Sequence, residues 1–359
     1  MTRRHPLRFT THWRLQTWFM LALSRTWWMT AGTLSARAAS SSLQVYFIDV
    51  EGGQATLFVT PAGKSLLIDT GWPDHDGRDA NRIAAAAKIA GVTRIDYLLL
   101  THFHDDHVGG VPQLVERIPV GTFVDHGINR ETTDAVTVKD FAAYQKVLAG
   151  GHYGHIVGKP GDLLPVTGIK ALVISADGKL IGHPLPGGGQ ANPYCSSSEI
   201  RPPDQTENAR SLGVLVTFGG LKILDLGDLT WDKEMQLMCP SNPLGTVDIL
   251  VVSHHGWYQS SSPALVDAVR ARVAIMNNGE TKGGSIPTLE LFAKAPELET
   301  LWQLHYSVEG GAGRNTAQAY IANPLGPDAG NYLKLTVSPS GSFTVFNSRT
   351  NATKDYAAR

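Results

Sequence analysis

Cysteine is nearly absent from this chain of 359 residues: Cys195 and Cys239 are the only two. Two are too few for a disulfide-framed mini-domain or a cysteine-type zinc knuckle. In an oxidising compartment they could pair, and otherwise they would sit as two small apolar residues. No apolar run reaches 18 residues, which excludes a polytopic membrane protein. Acidic residues are missing altogether from positions 1–42, which carry Arg3, Arg4, Arg8, Arg14, Arg25 and Arg37. Neither a Gly-x-Ser-x-Gly elbow nor a Walker loop occurs, so serine-hydrolase and P-loop chemistry lack their apparatus.

What is present describes a loop-rich globular chain. It is 42% hydrophobic, 8% aromatic and 18% charged, with 37 Gly and 20 Pro, and its net charge is −1. That charge is uneven. Setting aside the six arginines of positions 1–42 leaves 25 of the 31 basic side chains against 32 acidic ones, near −7. Such a balance argues against a long nucleic acid as partner, because a polyanion needs many neutralising Lys and Arg. It leaves a small or surface-linked anionic substrate open, and oligomeric state unread.

Residues 1–39 have the make-up of an export segment. A basic start precedes apolar stretches at 18–23 and 27–29, and the small-residue run Ala36-Arg37-Ala38-Ala39-Ser40 suits cleavage near Ala38. Thr2-Arg3-Arg4 with Leu7-Arg8 partly matches a twin-arginine signal, and a start at Met20 would leave a shorter one. The expectation is a periplasmic or secreted protein with no membrane span once that segment is removed.

One large domain is expected over residues 43–350. Short β-rich runs at 43–50, 55–60 and 64–69 are followed by a helix through Ala90, with Asp79 as its cap and Gly91 as its stop. The run 95–100 is apolar throughout, as in a strand covered on both faces. Further strands are expected at 121–124, 171–175, 212–218, 221–226, 248–252 and 273–276, and helices at 138–148, 231–238, 263–269 and 287–295. A closing hairpin is expected over 332–346. Residues 179–205, rich in Gly, Pro and Ser, read as a long loop. Alternation of strands and helices in both halves implies helices layered outside sheets.

The chemistry concentrates in Thr101-His102-Phe103-His104-Asp105-Asp106-His107, directly after the buried strand. Spacing of His-x-His-x-Asp-His gathers imidazole and carboxylate donors on one tight turn, a set suited to zinc, or to manganese or iron. Asp228 and the pair His254-His255 each fall just past the end of an apolar strand, where sheet-based sites collect side chains. Taken alone, Asp228 would more often cap a helix.

These motifs resemble the metallo-β-lactamase superfold. The likeness rests on His102-x-His104-x-Asp106-His107, on Gly227-Asp228, on the later histidines, and on Leu66-Leu-Ile-Asp69-Thr-Gly71. More narrowly, Phe47-Ile-Asp49-Val-Glu-Gly-Gly-Gln54, Asn208-Ala-Arg-Ser211-Leu and Ser253-His-His255-Gly are similar to the hydrolase domain of DNA-uptake competence proteins (ComEC-like) and to phosphorylcholine esterases. The resemblance spans residues 43–278. It implies a four-layer αββα sandwich with two divalent metals, zinc first of all and manganese as an option at the first site.

Carried onto this chain, it makes His102 and His104 ligands of the first metal, and Asp106, His107 and His255 ligands of the second. Asp228 would bridge them, Asp69 would orient a ligand imidazole, and His254 would face the substrate. Asn208 stands where many relatives place another first-site histidine, which implies a weaker first site completed by water or an amide oxygen. His126 and His183, as alternatives, read as surface residues. Two cations roughly 3.5–4 Å apart would share a hydroxide at neutral pH. Asp106 would accept the nucleophile's proton and His254 would stabilise charge or protonate a leaving group. The expected function is an exported dinuclear hydrolase of phosphodiesters or related phosphoesters. The alternatives are a β-lactam or lactone hydrolase, or a metal-holding module without turnover. Trp72, His75, Arg78 and Asn277-Asn278-Gly279 read as turn residues that could also line a groove.

Overall fold

The protein is described by a computed structural model covering residues 41–359. The export segment expected at 1–39 thus falls outside the described residues. Residues 41–359 belong to one compact unit.

Among the described residues two nine-stranded sheets face one another. In spatial order the first runs Ala352–Tyr356, Phe343–Asn347, Leu333–Val337, Leu43–Phe47, Thr56–Val59, Ser65–Ile68, Ile95–Leu99, Val120–Asp125 and Gly154–Val157. The second runs Ile321–Asn323, Thr300–His305, Val273–Met276, Ile249–Val251, Leu221–Asp225, Gly213–Phe218, Lys170–Ala176 and Leu163–Leu164, with Lys179–Leu180 paired beside Lys170–Ala176. Each sheet joins antiparallel and parallel ladders: Ser65–Ile68 pairs parallel with Ile95–Leu99, and Leu221–Asp225 pairs parallel with Ile249–Val251.

The layering arises from strand alternation. Val45 and Phe47 of the first sheet meet Val214, Ile223 and Ile249 of the second in a core between the sheets. The opposite faces, Tyr46 and Leu67, pack on helices through Ile83, Ala87 and Tyr144. Leu224 and Leu250 pack on helices through Leu237, Leu265 and Phe292. Strands buried on both faces need a helix layer outside each sheet, and three stacked cores make the αββα sandwich.

Several local expectations are corrected. The helix Arg78–Ala90 starts from Gly77 in a left-handed conformation, and Asp79 makes no cap bond; its Oδ2 accepts from Trp72 N at 2.8 Å instead. Residues 179–205 are not a plain loop: Lys179–Leu180 and Gln190–Ala191 are short strands, the latter pairing with Ser241–Asn242. The C-terminal hairpin is extended by a third strand, Ala352–Tyr356.

Cys195 and Cys239 form a disulfide that ties this segment to the end of the helix Trp231–Met238. Closing a loop of 44 residues restrains the unfolded chain by about 4 kcal/mol in the chain-entropy account. Cys195→Ala/Cys239→Ala is expected to lower unfolding stability by up to that amount, read as a fall in the urea midpoint against the oxidised parent.

Candidate metal centre

Loops leaving one end of both sheets build the site. After Ser65–Ile68, Asp69 takes a left-handed φ of 60° and its N–H donates to Leu99 O, turning the chain toward the next strand. Thr70 then grips the short helix Asp105–Val108, donating from N and from Oγ1 to His107 O, each at 2.8 Å. On the other side Gln54 N donates to Asp106 O at 3.2 Å. A Cβ on Gly53 would lie 2.4 Å from that oxygen, so only glycine allows the approach. The His102–His107 turn is therefore clamped from two loops.

From the second sheet, Gly227 and Asp228 come after Leu221–Asp225, and Ser253–Gly256 comes after Ile249–Val251. His254 and His255 both have φ of 54°. Two successive non-glycine residues in the left-handed region cost on the order of 1–2 kcal/mol each. Bonds from His254 N to Gly227 O, and to His254 O and His255 O from Trp257 N and Gly284 N, hold the turn against that cost.

These turns bring Asp106, His107, Asp228 and His255 together, with one donor atom of each within 4.8 Å of the others and all four buried. His255 Nε2 lies 3.0 Å from Asp106 Oδ2 and 3.2 Å from His107 Nε2. Asp228 Oδ2 lies 3.3 Å from His107 Nε2, 3.4 Å from His255 Nε2 and 3.5 Å from His254 Nε2. Each imidazole in the group has its outer nitrogen fixed. His107 Nδ1 donates to Asp69 Oδ2 at 2.7 Å, and His255 Nδ1 donates to Asn277 O at 3.1 Å. Both Nε2 atoms are thereby turned inward, the arrangement by which outer partners orient metal-binding imidazoles.

His102 and His104 stand outside this four-residue group, their rings 4.7 Å apart and His102 4.1 Å from His107. His102 Nδ1 lies 3.1 Å from Thr101 Oγ1, which itself donates to Asp69 Oδ2. His104 Nε2 is taken by Glu131 at 2.9 Å, which leaves Nδ1 as its atom for an ion. Asn208 Nδ2 lies 3.4 Å from His254 Nε2. Asp228 is no helix cap, since Thr230 holds the N-cap position of the helix Trp231–Met238.

The donor set fits divalent cations. His102 Nε2, Asp228 Oδ1 and Asn208 Oδ1 are buried with no hydrogen-bond partner, and such orphaned lone pairs are costly unless something electrophilic meets them. Burial, with the fields of His107 and His104, holds the His102 imidazole well below its ordinary pKa, hence neutral. Burial would raise Asp106 and Asp228, yet neighbouring cations and imidazoles outweigh it and keep both well below the carboxylate range. Anionic oxygens and the neutral His102 imidazole in a dry pocket are donors that a hard-to-borderline cation binds.

Other expected positions are relocated. His126 is buried, not a surface residue, because its Nε2 pairs with buried Glu207 at 2.9 Å while its ring packs on Phe103. His183 is exposed, near Pro184 O. Trp72 is half-buried with its ring 4.6 Å from Lys282 Nζ, His75 is exposed, and Arg78 is spent on Asp79. Residues missed by sequence reasoning include Glu131, which holds His104 and accepts from Glu207 N, and Lys282, whose Nζ meets Asp106 Oδ2. A second group, Asp49, Glu51 and His305, already has its charge answered by Arg82, 3.1 Å from Asp49.

Comparison with known proteins agrees with this fold. Residues 48–198 match the family model of the Metallo-beta-lactamase superfamily, and the sandwich is the metallo-β-lactamase fold. Over that segment the chain is thus similar to the superfamily, and its described residues carry a candidate metal-binding group. Recombination protein 2 of Haemophilus influenzae is 26% identical over 245 residues, 68% of this chain and 25% of that protein. ComE operon protein 3 of Bacillus subtilis is 24% identical over 255 residues, 67% and 29% respectively. A hydroxyacylglutathione hydrolase of Stenotrophomonas maltophilia is 31% identical over 105 residues, 29% and 37%. The chain therefore resembles the competence proteins while its match spans only about a quarter to a third of their length.

Two measurements test the site. Glu131→Ala removes the partner of His104 and is expected to weaken metal binding through His104 about 10- to 100-fold, read by competitive zinc titration. Behind the centre, Asp225 is buried, accepting from Gln54 Nε2 and Gly227 N, and burial raises its pKa from 3.8 to about 6. A raised folded-state pKa contributes stability that is present at low pH and lost as pH climbs through about 6. Asp225→Asn removes that loss, because the Gln54 amide can turn to present its oxygen. Between pH 4 and 7.5 the stability of metal-free Asp225→Asn is expected to gain on the parent by up to about 3 kcal/mol, measured by urea unfolding.

Proposed function

We propose that the protein is a metal-dependent hydrolase of phosphodiesters or related phosphoesters, small or surface-linked, working outside the cytoplasm. The observation that carries this reading is the place of Asp228, whose Oδ2 lies within 3.5 Å of the imidazoles of His107, His254 and His255. A carboxylate at that junction suits a position between two cations. His107, His255 and Asp106 would hold one ion, and His102 and His104 the other, with Asp228 shared. The unpartnered Asn208 Oδ1 would supply a weak amide oxygen to that ion in place of another histidine.

When bound, the ions would supply positive charge against developing oxyanions and lower the pKa of bound water toward neutrality. The chain's own part is orientation. Asp69 keeps the His107 proton on Nδ1, Asn277 O does the same for His255, and Glu131 keeps that of His104 on Nε2. Burial lowers the His254 pKa to about 4, so at neutral pH it serves as an uncharged hydrogen-bonding group beside Asp228. Its Nδ1 lies 3.3 Å from Ser260 Oγ, which steadies the ring.

A carbonyl substrate is the second reading, favoured by the partial likeness to a hydroxyacylglutathione hydrolase. The test compares initial rates on a nitrophenyl phosphodiester, a chromogenic cephalosporin and a thioester, using protein loaded with Zn²⁺ or Mn²⁺ and then stripped with EDTA. The phosphodiester rate is expected to dominate, to vanish on chelation and to return with added metal. Since outer partners alone are worth about 10- to 100-fold, Asp228→Ala is expected to lose at least about 100-fold. A dominant cephalosporin or thioester rate would overturn the phosphoester assignment, and metal-replete protein inert on all three would favour a binding module.

A further inference from the structure

We infer that Lys282 is the substrate-anion recognition residue of this centre, placed to engage a non-bridging oxygen of a phosphoester. This rests on the phosphoester reading above.

Lys282 belongs to the loop 277–284 after the strand Val273–Met276, and that loop is held from both sides. Gly284 N donates to His255 O and Gly279 N closes a turn on Lys282 O. A Cβ on Gly279 would meet the Glu51 backbone at 2.8 Å, so the loop lies flush against the first-sheet turn that also clamps Asp106. The base of the lysine is thus positioned by the same turns that position the donors. At its tip, Nζ contacts Asp106 Oδ2 and rides 4.6 Å from the Trp72 ring. A lysine buried only to answer Asp106 would be closed off with it. Instead the Lys282 side chain is 23% exposed against 6% for Asp106 and 0% for His107, so the cation stands between the centre and solvent.

Charge and chemistry agree with a role in substrate binding. An ammonium carries three donors, and contact with one carboxylate oxygen leaves donors for an incoming anion. The Trp72 face holds the cation without consuming a hydrogen bond. Two dications beside Asp106 would repel Lys282 from that oxygen, and its side chain is partly open to solvent. A phosphodiester approaching the centre brings one negative charge to the same place. Lys282 is the long basic side chain that reaches Asp106 from outside the donor set, and its field also reaches His254 and Asp105.

A structural role makes the opposite prediction for metal binding. If Lys282 merely steadied Asp106, Lys282→Met would loosen the ions. If it is an anion-binding cation, removing it relieves repulsion, and zinc is expected to bind the same or more tightly by competitive titration. With zinc-loaded protein, Lys282→Met is expected to raise KM for a nitrophenyl phosphodiester about tenfold or more, to change kcat less, and to leave KM for an uncharged nitrophenyl ester unaltered. Lys282→Arg should recover most of the loss. Inorganic phosphate, titrated calorimetrically into zinc-loaded parent and Lys282→Met, reads the same charge without turnover and should bind the variant about tenfold more weakly. Looser zinc, an equal loss on charged and uncharged substrates, or unchanged phosphate affinity would overturn the inference. A parent inert on phosphodiesters that still loses phosphate affinity on Lys282→Met would overturn the phosphoester reading while sustaining the lysine's role.

Discussion

The contact between the Asp69 carboxylate and His107 Nδ1, 2.7 Å long and wholly buried, is the constraint on which the rest of the site depends. Asp69 also accepts from Thr101 N and Thr101 Oγ1, so one side chain ties the end of Ser65–Ile68 to the first residue of the histidine turn. Without that acceptor the imidazole could present either nitrogen inward, and the turn could drift away from Asp228. Burial makes the arrangement stiff, because every unmade hydrogen bond in a dry interior carries its full desolvation cost.

The two sheets contribute in parallel ways. In each, a parallel pair ends in a turn with backbone in the left-handed region, Asp69–Gly71 on one side and Gly227 or His254–Gly256 on the other. Parallel strands send their C-terminal ends to one edge, which is where open α/β sheets collect ligands. The sandwich brings those two edges together, and the donor atoms close the seam between them.

Much of this was legible in the chain. The apolar runs before His102, Asp228 and His254 marked buried strands, and the residues just past the end of such a strand lie at a sheet edge. The strand Val273–Met276 and the helices Trp231–Met238 and Pro263–Val269 have the expected bounds, since apolar periodicity and flanking turn residues agree there. Elements whose burial comes from tertiary context were not legible. Gly154–Val157 and Ala352–Tyr356 are mostly exposed edge strands with no apolar alternation, and pairing with a neighbour is what defines them. His126 looked like a surface residue because Glu207, its partner, lies 81 residues away. Glu131 and Lys282 sit in polar loops where composition carries no signal, and only the folded chain brings them to His104 and Asp106.

The seam has a thermodynamic corollary. Asp69, His102, His104, Asp106 and His107 precede the crossover at 158–162, while Asp228, His254, His255 and Lys282 come after it. Neither half of the sequence owns a complete donor set. Any ion held across the seam would therefore act as a rivet between half-chains, and its binding free energy would appear as cohesion between the two sheets. A chain severed in that crossover would become a two-part system in which metal and mutual recognition of the halves are linked functions.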